Sequence, residues 1–225
     1  MITEQTLTGI MPNLKSERRV AFMPHLHAAM EEFEINTPLR QAAFLAQLAH
    51  ESGEFRYMEE IWGPTAAQKR YEPPSSLARR LGNTEPGDGF RYKGRGPIQV
   101  TGRDNYRRYG GLLGLDLEAE PEQAATPEVG FRIAGLYWHK NGLNELADVE
   151  HFKTITKRIN GGYNGLEDRR RYYERARTAL GIRRTRGAGT RGSAPVPLPD
   201  DGDLGAPALP RGYDAIRDET PDADA

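Results

Sequence analysis

The sequence of 225 residues contains no cysteine. Disulfide bonds, zinc sites built from thiolates and a cysteine nucleophile are therefore excluded. Neither sign of charge is in excess, because 31 lysines and arginines stand against 32 aspartates and glutamates. A nucleic-acid-binding protein usually shows a concentrated positive excess. We therefore predict no nucleic-acid partner.

Long apolar runs are also missing from the sequence. No stretch approaches the roughly 18–20 apolar residues that a membrane-spanning helix needs. The N-terminal stretch, MITEQTLTGIMPNLKSERR, lacks the apolar core of a secretory signal. We accordingly expect a monomer without membrane insertion, synthesised in the cytoplasm, with any export by another route.

The composition changes near Gly181–Ile182. Residues 183–225 contain six prolines, six glycines and one aromatic residue, Tyr213. Such a segment has too few apolar side chains to offset its ordering entropy. We predict one folded domain over residues 1–182, whose first 34 residues form an N-terminal helical part, and a flexible tail over residues 183–225.

Most of the predicted domain carries helix signals. Thr37 followed by Pro38 pairs a capping hydroxyl with proline at the first helical position, and Gly53 marks the end of the alanine-rich run that follows. Thr126 and Pro127 repeat the same start signal. These patterns predict two well-defined helices.

Two further helices and one strand are indicated more weakly. Ser16 is a candidate cap for a helix reaching residues 29–33, with Pro24 as a kink or break inside it. The stretch LEDRRRYYERARTALG predicts a helix ending at Gly181. GPIQVTG is the candidate strand. The predicted fold class is mainly α, a helical bundle around a cleft with room for a small hairpin.

The stretch AHESGEF, from Ala49 to Phe55, places acids at Glu51 and Glu54 where the alanine-rich helix ends. The partial negative charge of a helix C-terminus opposes ionisation of a carboxylate there, which suits a general acid. An exposed glutamate at a frayed helix end is the alternative. A zinc helix motif needs His-Glu-x-x-His, but Glu54 occupies the place of the second histidine, so we predict no metal.

A second pair of acids, Glu59 and Glu60, follows in EFRYMEEIWGPT. Gly53 permits a bend that could bring Glu60 across a cleft from Glu51. Inverting glycoside hydrolysis needs two carboxyls roughly 6.5–9.5 Å apart with a water between them. The sequence permits this geometry, and a solvated acid remains the alternative for either glutamate of the pair.

The segment GFRYKGRGPIQVTGRDNYRRYGG is rich in glycine but does not match a phosphate loop, because its lysine precedes the glycines. Its hydrogen-bonding groups beside aromatic rings suit a polyhydroxylated, N-acetylated ligand. We expect an exposed loop of donors, or alternatively a structural loop whose polar groups satisfy one another. The candidate donors are Arg95, Gln99, Thr101, Asn105 and Tyr106.

Three motifs in this order, FLAQLAHESGEFRYMEE, YKGRGPIQVTGRDNY and INGGYNG, resemble glycoside hydrolase family 19. They are most similar to its phage endolysin branch, whose members cleave bacterial peptidoglycan. The resemblance runs from about residue 35 to residue 182. It implies a lysozyme-like helical fold and inverting cleavage of β-1,4 bonds next to N-acetylated sugars, without a cofactor.

The resemblance also implies roles for single residues. It implies that Glu51 is the general acid, Glu60 the general base and Thr101 the residue that orients the attacking water. His50 is expected to pack or to make a hydrogen bond behind the acid, at the edge of the substrate site. The implied substrate contacts are Gln99, Asn105, Asn160 and Arg169, beside the candidates Arg95 and Tyr106.

One departure from the family bears on the substrate. Plant chitinases of this family carry an acid where this chain has Asn164, and they have disulfides and additional cleft loops. We therefore expect peptidoglycan as the substrate and action on the cell wall after release. The alternatives are a chitinase, a wall-binding module without activity, and an antibacterial effector delivered by secretion. We expect Glu51→Gln to abolish turnover and to leave thermal stability nearly unchanged.

Overall fold

The computed structural model describes residues 2–183, and the predicted tail lies outside this range except for Arg183. Eleven α-helices cover most of the described chain, and a short 3₁₀ helix at Pro121–Ala125 precedes α8. The α-helices are α1 (Glu4–Ile10), α2 (Ser16–Glu32), α3 (Pro38–Glu51), α4 (Ala66–Lys69), α5 (Ser76–Leu81), α6 (Asp88–Arg91), α7 (Arg103–Leu113), α8 (Pro127–Lys140), α9 (Leu143–Asp148), α10 (Phe152–Asn160) and α11 (Leu166–Ala179).

Helices α3 and α8 begin where the sequence predicts. The side chain of Thr37 accepts a hydrogen bond from the backbone N–H of Arg40, and that of Thr126 accepts one from Val129, each at 3.3 Å. Proline occupies the first position of both helices. A capping oxygen and proline at this position satisfy or remove donors that the first turn leaves unpaired.

Helix α2 differs from its prediction at two points. It begins at Ser16 and its N-cap is Lys15, whose side chain makes no capping bond, so the assignment of Ser16 as the cap is wrong. The helix also continues through Pro24. Proline removes the bond to the carbonyl of residue 20, but Val20 lies on an exposed face where water can replace that donor.

The core of the fold lies where α3 packs against α11 and α2 packs against α8. Every residue of α3 from Gln41 to Glu51 is buried. Phe22, Phe55 and Phe131 form an edge-to-face cluster with ring centroids 5.1–6.1 Å apart. Aromatic groups in this arrangement stabilise a core beyond their buried area. The central position of α3 fixes the place of the residues at its C-terminal end.

The candidate strand GPIQVTG forms a tight turn instead. Arg95 and Val100 pair as an antiparallel bridge, with N···O distances of 3.0 and 2.8 Å. Gly96 and Gln99 between them have φ values of 75° and 55°, which reverse the chain too sharply for a strand. The prediction of a strand is therefore wrong, although its hairpin-like pairing is present. Within residues 2–183, no helix is both long and apolar enough to cross a membrane.

Candidate active site

Glu51 is the last residue of α3 and only 4% exposed. Its carboxylate is paired with the guanidinium of Arg169 from α11, which is 1% exposed. Arg169 also donates a hydrogen bond of 2.5 Å to the side-chain oxygen of Gln47, one turn before Glu51. The structure therefore places a positive charge directly against the buried carboxylate at the end of α3.

A second pair joins the same two helices immediately beside the first. His50 Nδ1 lies 2.7 Å from Asp168 Oδ2, and the His50 ring is buried. This hydrogen bond holds the pKa of Asp168 below its ordinary value, against the opposing effect of partial burial. His50 thus makes a hydrogen bond, which is one of the two arrangements expected for it, and its place at the edge of the substrate site stays a prediction. Adjacent residues of α3 are thus fixed by adjacent residues of α11.

The chain reverses directly after the acid. Gly53, Glu54 and Phe55 have φ values of 55°, 60° and 60°, and the last two are buried. Left-handed backbone at a residue other than glycine costs on the order of 1–3 kcal/mol and persists only where neighbours hold it. Ser52 contributes to this support, because its hydroxyl accepts a hydrogen bond of 2.8 Å from the N–H of Phe55.

Glu54 helps to hold this reversal of the chain in place through its carboxylate. Its carboxylate accepts hydrogen bonds from the backbone N–H and the side-chain amide of Asn13, at 2.6 and 3.0 Å. It also accepts a bond of 2.9 Å from the hydroxyl of Tyr172. Of the two acids in AHESGEF, Glu54 therefore ties the reversal to the segment before α2 and to α11, and Glu51 lies in the pair with Arg169.

Glu60 is held by uncharged donors on an irregular segment. The N–H of Gly94 donates to Oε2 at 2.9 Å, and the side-chain amide of Gln68 donates to Oε1 at 3.0 Å. The Tyr71 hydroxyl forms a further hydrogen bond with Glu60, and burial together with this neighbouring negative charge raises the pKa of Tyr71. The N–H of Glu60 donates to the Gly94 carbonyl at 2.8 Å, which completes its pairing with that residue.

Gly94 allows Gln99 to approach the same carboxylate. A Cβ atom at Gly94 would lie 2.7 Å from Gln99 Oε1 and 3.3 Å from Glu60 Oε2, so only glycine fits without displacement. The amide of Gln99 donates to the carbonyls of Gly96 and Tyr57, at 2.9 and 3.3 Å. The structure thus brings Glu60 and Gln99, two of the site residues predicted from the sequence, to one place.

Thr101 and Asn105 continue this group along the chain. The hydroxyl of Thr101 donates to the carbonyl of Gln99 at 3.0 Å, and the amide of Asn105 donates to the carbonyl of Thr101 at 2.7 Å. Thr101 is fully buried and Asn105 is partly exposed. Backbone and side chains from Gly94 to Asn105 therefore form one connected support around Glu60.

The prediction that this loop is an exposed row of donors is wrong. Arg95 donates to Glu59 at 3.0 Å and to the hydroxyl of Tyr106 at 3.1 Å, and that hydroxyl donates to the carbonyl of Lys93 at 2.7 Å. Arg95 is 3% exposed and Tyr106 is fully buried. Their polar atoms are enclosed with protein partners, because an unpaired buried polar group is costly. In this structure Arg95 and Tyr106 support the loop from inside, and their contact with substrate stays a prediction.

The INGG motif ends α10 and leads to Arg169. The side-chain amide of Asn160 donates to the carbonyl of Asn164 at 3.3 Å, and Arg169 Nε donates to the same carbonyl at 3.4 Å. Asn160 is partly exposed. Arg169 is enclosed by Glu51, Gln47 and this carbonyl, so the structure makes it the partner of Glu51. Its implied contact with substrate stays a prediction.

Three supporting residues were missed at the sequence level. Gln47 lies four positions before Glu51, so helical spacing could have identified it as a neighbour on the same face. Gln68 and Tyr71 bind Glu60 from a short helix and the turn after it, where the sequence gives no local sign of their target. Within residues 2–183, no three histidine or acidic side chains are grouped to hold a metal.

Comparisons with known proteins agree on one family. The family model of glycoside hydrolase family 19, described as chitinase class I, matches residues 34–151. A protein of Haemophilus influenzae described as containing a glycosyl hydrolase family 19 domain is 34% identical over 196 residues, which cover 77% of this chain and 94% of that protein. An Arabidopsis thaliana endochitinase is 43% identical over 122 residues, which cover 54% of this chain and 39% of the plant protein.

Solved structures show the same fold. Chitinase C from Streptomyces griseus superposes with a TM-score of 0.62 at 23% identity, over 80% of this chain and 92% of that one. The class IV chitinase of family 19 from Zea mays has a TM-score of 0.60 at 24% identity, over 81% and 94% of the two chains. These neighbours confirm the predicted lysozyme-like helical fold. The chain belongs to glycoside hydrolase family 19 and is related to the chitinases of that family.

Proposed function

We propose that this glycoside hydrolase degrades bacterial peptidoglycan, cleaving β-1,4 bonds next to N-acetylated sugars with inversion. The supporting observation is that both candidate carboxylates are fixed, but by opposite means. Glu51 is paired with a buried guanidinium, whereas the donors to Glu60 within residues 2–183 are uncharged. Different environments for two carboxyls are what separate acid and base roles in glycosidases.

In the proposed mechanism, the Glu51 carboxylate first takes up a proton from water as the substrate binds, and Glu51 then gives this proton to the glycosidic oxygen. Negative charge develops on Glu51 as the proton leaves, and Arg169 lies against that charge. An electrostatic partner that is already in place stabilises the transition state without reorganisation. Gln47 and Asn164 keep the guanidinium directed at the acid, because they accept its other hydrogen bonds.

Glu60 takes the proton of the attacking water in this mechanism. Gln68, Tyr71 and the N–H of Gly94 hold its carboxylate oxygens, which fixes the direction from which water is deprotonated. We assign Thr101 and Gln99, which are buried with protein partners, to holding the loop around Glu60 from which this water is oriented. We assign Asn105 and Asn160, which are partly exposed, to contacts with the N-acetylated sugars. His50 supports the acid from the next position of α3.

Peptidoglycan is favoured over chitin by what this chain does not share with the plant enzymes. It has no cysteine, and it carries Asn164 where the plant pattern has an acid. We propose action on the cell wall after release from the cytoplasm, in the manner of an endolysin.

Chitin hydrolysis is the second candidate, because the plant relatives are described as endochitinases. Two assays separate the candidates: lysis of permeabilised Gram-negative cells and release of reducing sugar from colloidal chitin. We expect lysis, and mass spectrometry of fragments released from purified sacculi will identify the new reducing sugar and hence the bond. Sugar release from chitin alone would support the second candidate.

A wall-binding protein without activity is tested in the same experiment. Binding to sacculi with no increase in reducing ends would contradict any hydrolytic function. The Glu51→Gln variant provides the matched control, since it removes the proposed proton donor and keeps a side chain of similar size. Fragments released equally by this variant and the wild type would overturn the assignment of Glu51.

A further inference from the structure

A cavity of about 730 Å³ lies beside the seam between α3 and α11. Its lining is polar and carries both signs of charge. The residues that matter to the argument are Lys15, Arg18, His50, Arg56, Tyr57 and Asp168. A pocket of this size can hold a short peptide or several sugar-sized groups.

The cavity adjoins the candidate active site on two sides. His50 and Asp168 in its wall are the direct sequence neighbours of the Glu51 and Arg169 pair. On another side, the carbonyl of Tyr57 accepts the hydrogen bond of Gln99. The cavity is therefore bordered by the sequence neighbours of the Glu51–Arg169 pair and by the residue that accepts the Gln99 hydrogen bond.

The cations of the cavity are the groups available to a ligand. Arg18 is fixed, because it donates to the carbonyls of Phe55 and Arg56 at 2.6 and 2.8 Å. Lys15 and Arg56 are exposed, and the Arg56 guanidinium lies 5.3 Å from the Tyr57 ring centre.

The two acids in the wall are already engaged by protein donors. Asp168 binds His50 and Arg171, and Glu54 binds Asn13 and Tyr172. The lining is therefore suited to attract carboxylates through its three cations.

Part of the wall comes from outside the region that the family model matches. Residues 13–18 and 168–172 contribute to the cavity, whereas the model matches residues 34–151. A chitin chain carries only neutral N-acetyl groups along its length. Peptidoglycan also carries peptide side chains that bear carboxylates. A cationic cavity beside the active site distinguishes these two polymers by charge.

We propose that this cavity binds the carboxylate-bearing peptide stem of peptidoglycan and thereby selects peptide-substituted glycan over bare glycan. The inference rests on the proposed function and names the part of the substrate recognised outside the sugar cleft. Lys15 and Arg56 are the recognising groups, with Arg18 holding the segment that carries Arg56.

The first test compares two substrates: sacculus glycan with its peptides, and the same glycan stripped by an amidase. The Lys15→Glu/Arg56→Glu variant should reduce kcat/KM on the peptide-bearing strands about tenfold, because two attractive charges become repulsive. On stripped strands the change should be less than twofold. The matched control is Arg80→Glu/Lys140→Glu, which alters the net charge equally at exposed positions outside the cavity.

The second test measures binding without cleavage. Free stem peptide is titrated into the ¹⁵N-labelled wild-type enzyme, and chemical-shift changes at residues 13–18 and 53–57 are expected to vanish in the Lys15→Glu/Arg56→Glu variant. No shifts at the cavity, or equal losses of activity on both substrates, would overturn the inference. An enzyme that binds the peptide at the cavity but cleaves only chitin would overturn the proposed function and leave peptide binding established.

Discussion

The two candidate carboxylates lie in regions of opposite construction. Glu51 ends a buried helix and is balanced by a charge from a second helix, 118 residues away in sequence. Glu60 lies on an irregular segment, and its partners Gln68, Tyr71 and Gly94 lie within 34 residues of it. Glu51 thus depends on global packing and a full charge, while Glu60 depends on nearby neutral donors.

Because of this difference, substitutions at Glu51 and Glu60 can separate a loss of turnover from a loss of stability. A buried ion pair leaves an uncompensated charge when one partner is removed, which is strongly destabilising. Removal of the charge from a carboxylate held by neutral donors disturbs hydrogen bonds only, at about 1 kcal/mol each. Similar substitutions at the two glutamates should therefore have similar effects on turnover and different effects on stability.

Glu51→Gln should produce the largest combined effect. Loss of the proton donor is expected to lower kcat by about 10²–10⁴-fold. The uncompensated guanidinium of Arg169 should also reduce the free energy of unfolding by roughly 3 kcal/mol, contrary to the nearly unchanged stability expected from the sequence. Single-turnover kinetics and urea unfolding measure the two effects. Restored stability without restored activity in Glu51→Gln/Arg169→Met would support this interpretation, and an unchanged unfolding midpoint in the single variant would contradict it.

Glu60→Gln should be nearly as inactive but considerably more stable. The expected loss of kcat is again about 10²–10⁴-fold, because the proposed base is removed. The expected loss of unfolding free energy is about 1 kcal/mol, from one mismatched hydrogen bond. Parallel denaturation curves of the two glutamine variants provide the measurement. If Glu60→Gln were as destabilising as Glu51→Gln, the two carboxylates would not differ in how the protein holds them.

Tyr71→Phe tests the neutral support of the base. Loss of the hydrogen bond to Glu60 should lower kcat about five- to tenfold with little change in KM, because the carboxylate is held less firmly. Steady-state kinetics on peptidoglycan fragments measure kcat and KM separately. Tyr92→Phe is the matched control, since its hydroxyl donates to the carbonyl of Glu118 away from Glu60. Equal effects of the two substitutions would indicate a general loss of packing.

Asp168→Asn should have the smallest effect of these substitutions, a change in the free energy of unfolding at acidic pH. The hydrogen bond from His50 lowers the folded-state pKa of Asp168, so its contribution to stability is present above the unfolded value of about 3.9 and is lost as pH falls below it. The variant should therefore lose less stability than the wild type between about pH 4 and pH 3. Urea unfolding across that interval is the measurement, with Glu167→Gln as an exposed control. An equal fall of the free energy of unfolding with pH in the wild type and in Asp168→Asn would contradict this contribution of the His50–Asp168 pair.

Helix positions could be read from the sequence where the signals are local. The Thr–Pro starts at residues 37 and 126 depend on neighbouring atoms and are confirmed. Ser16 failed as a cap because the identity of the capping residue depends on where the backbone turns, and that point is set by the packing of α2 on α8. Local sequence signals therefore predicted that the helices exist more accurately than they predicted the residue at which each helix begins.

The contacts of the candidate site residues could not be predicted from the sequence. Motif resemblance identified Glu51, Glu60 and Arg169, but no spacing in the sequence indicates that Glu51 and Arg169 form a buried pair. Burial of Arg95 against Tyr106 was also missed, since a loop rich in glycine and charge is ordinarily exposed. Long-range packing decides which polar groups face a ligand and which satisfy one another.

The seam between α3 and α11 also has a consequence for biosynthesis. A ribosome makes the acid early and its counter-ion near the end of the folded region, so a chain interrupted before residue 169 has the glutamate without the arginine that neutralises it. Helix α3 would then have to enclose a lone charge, and it would lack the neighbour that covers one of its faces. If Glu51 is the proton donor, we expect the chain to cut glycan only after α11 docks, and partial translation products should be inert.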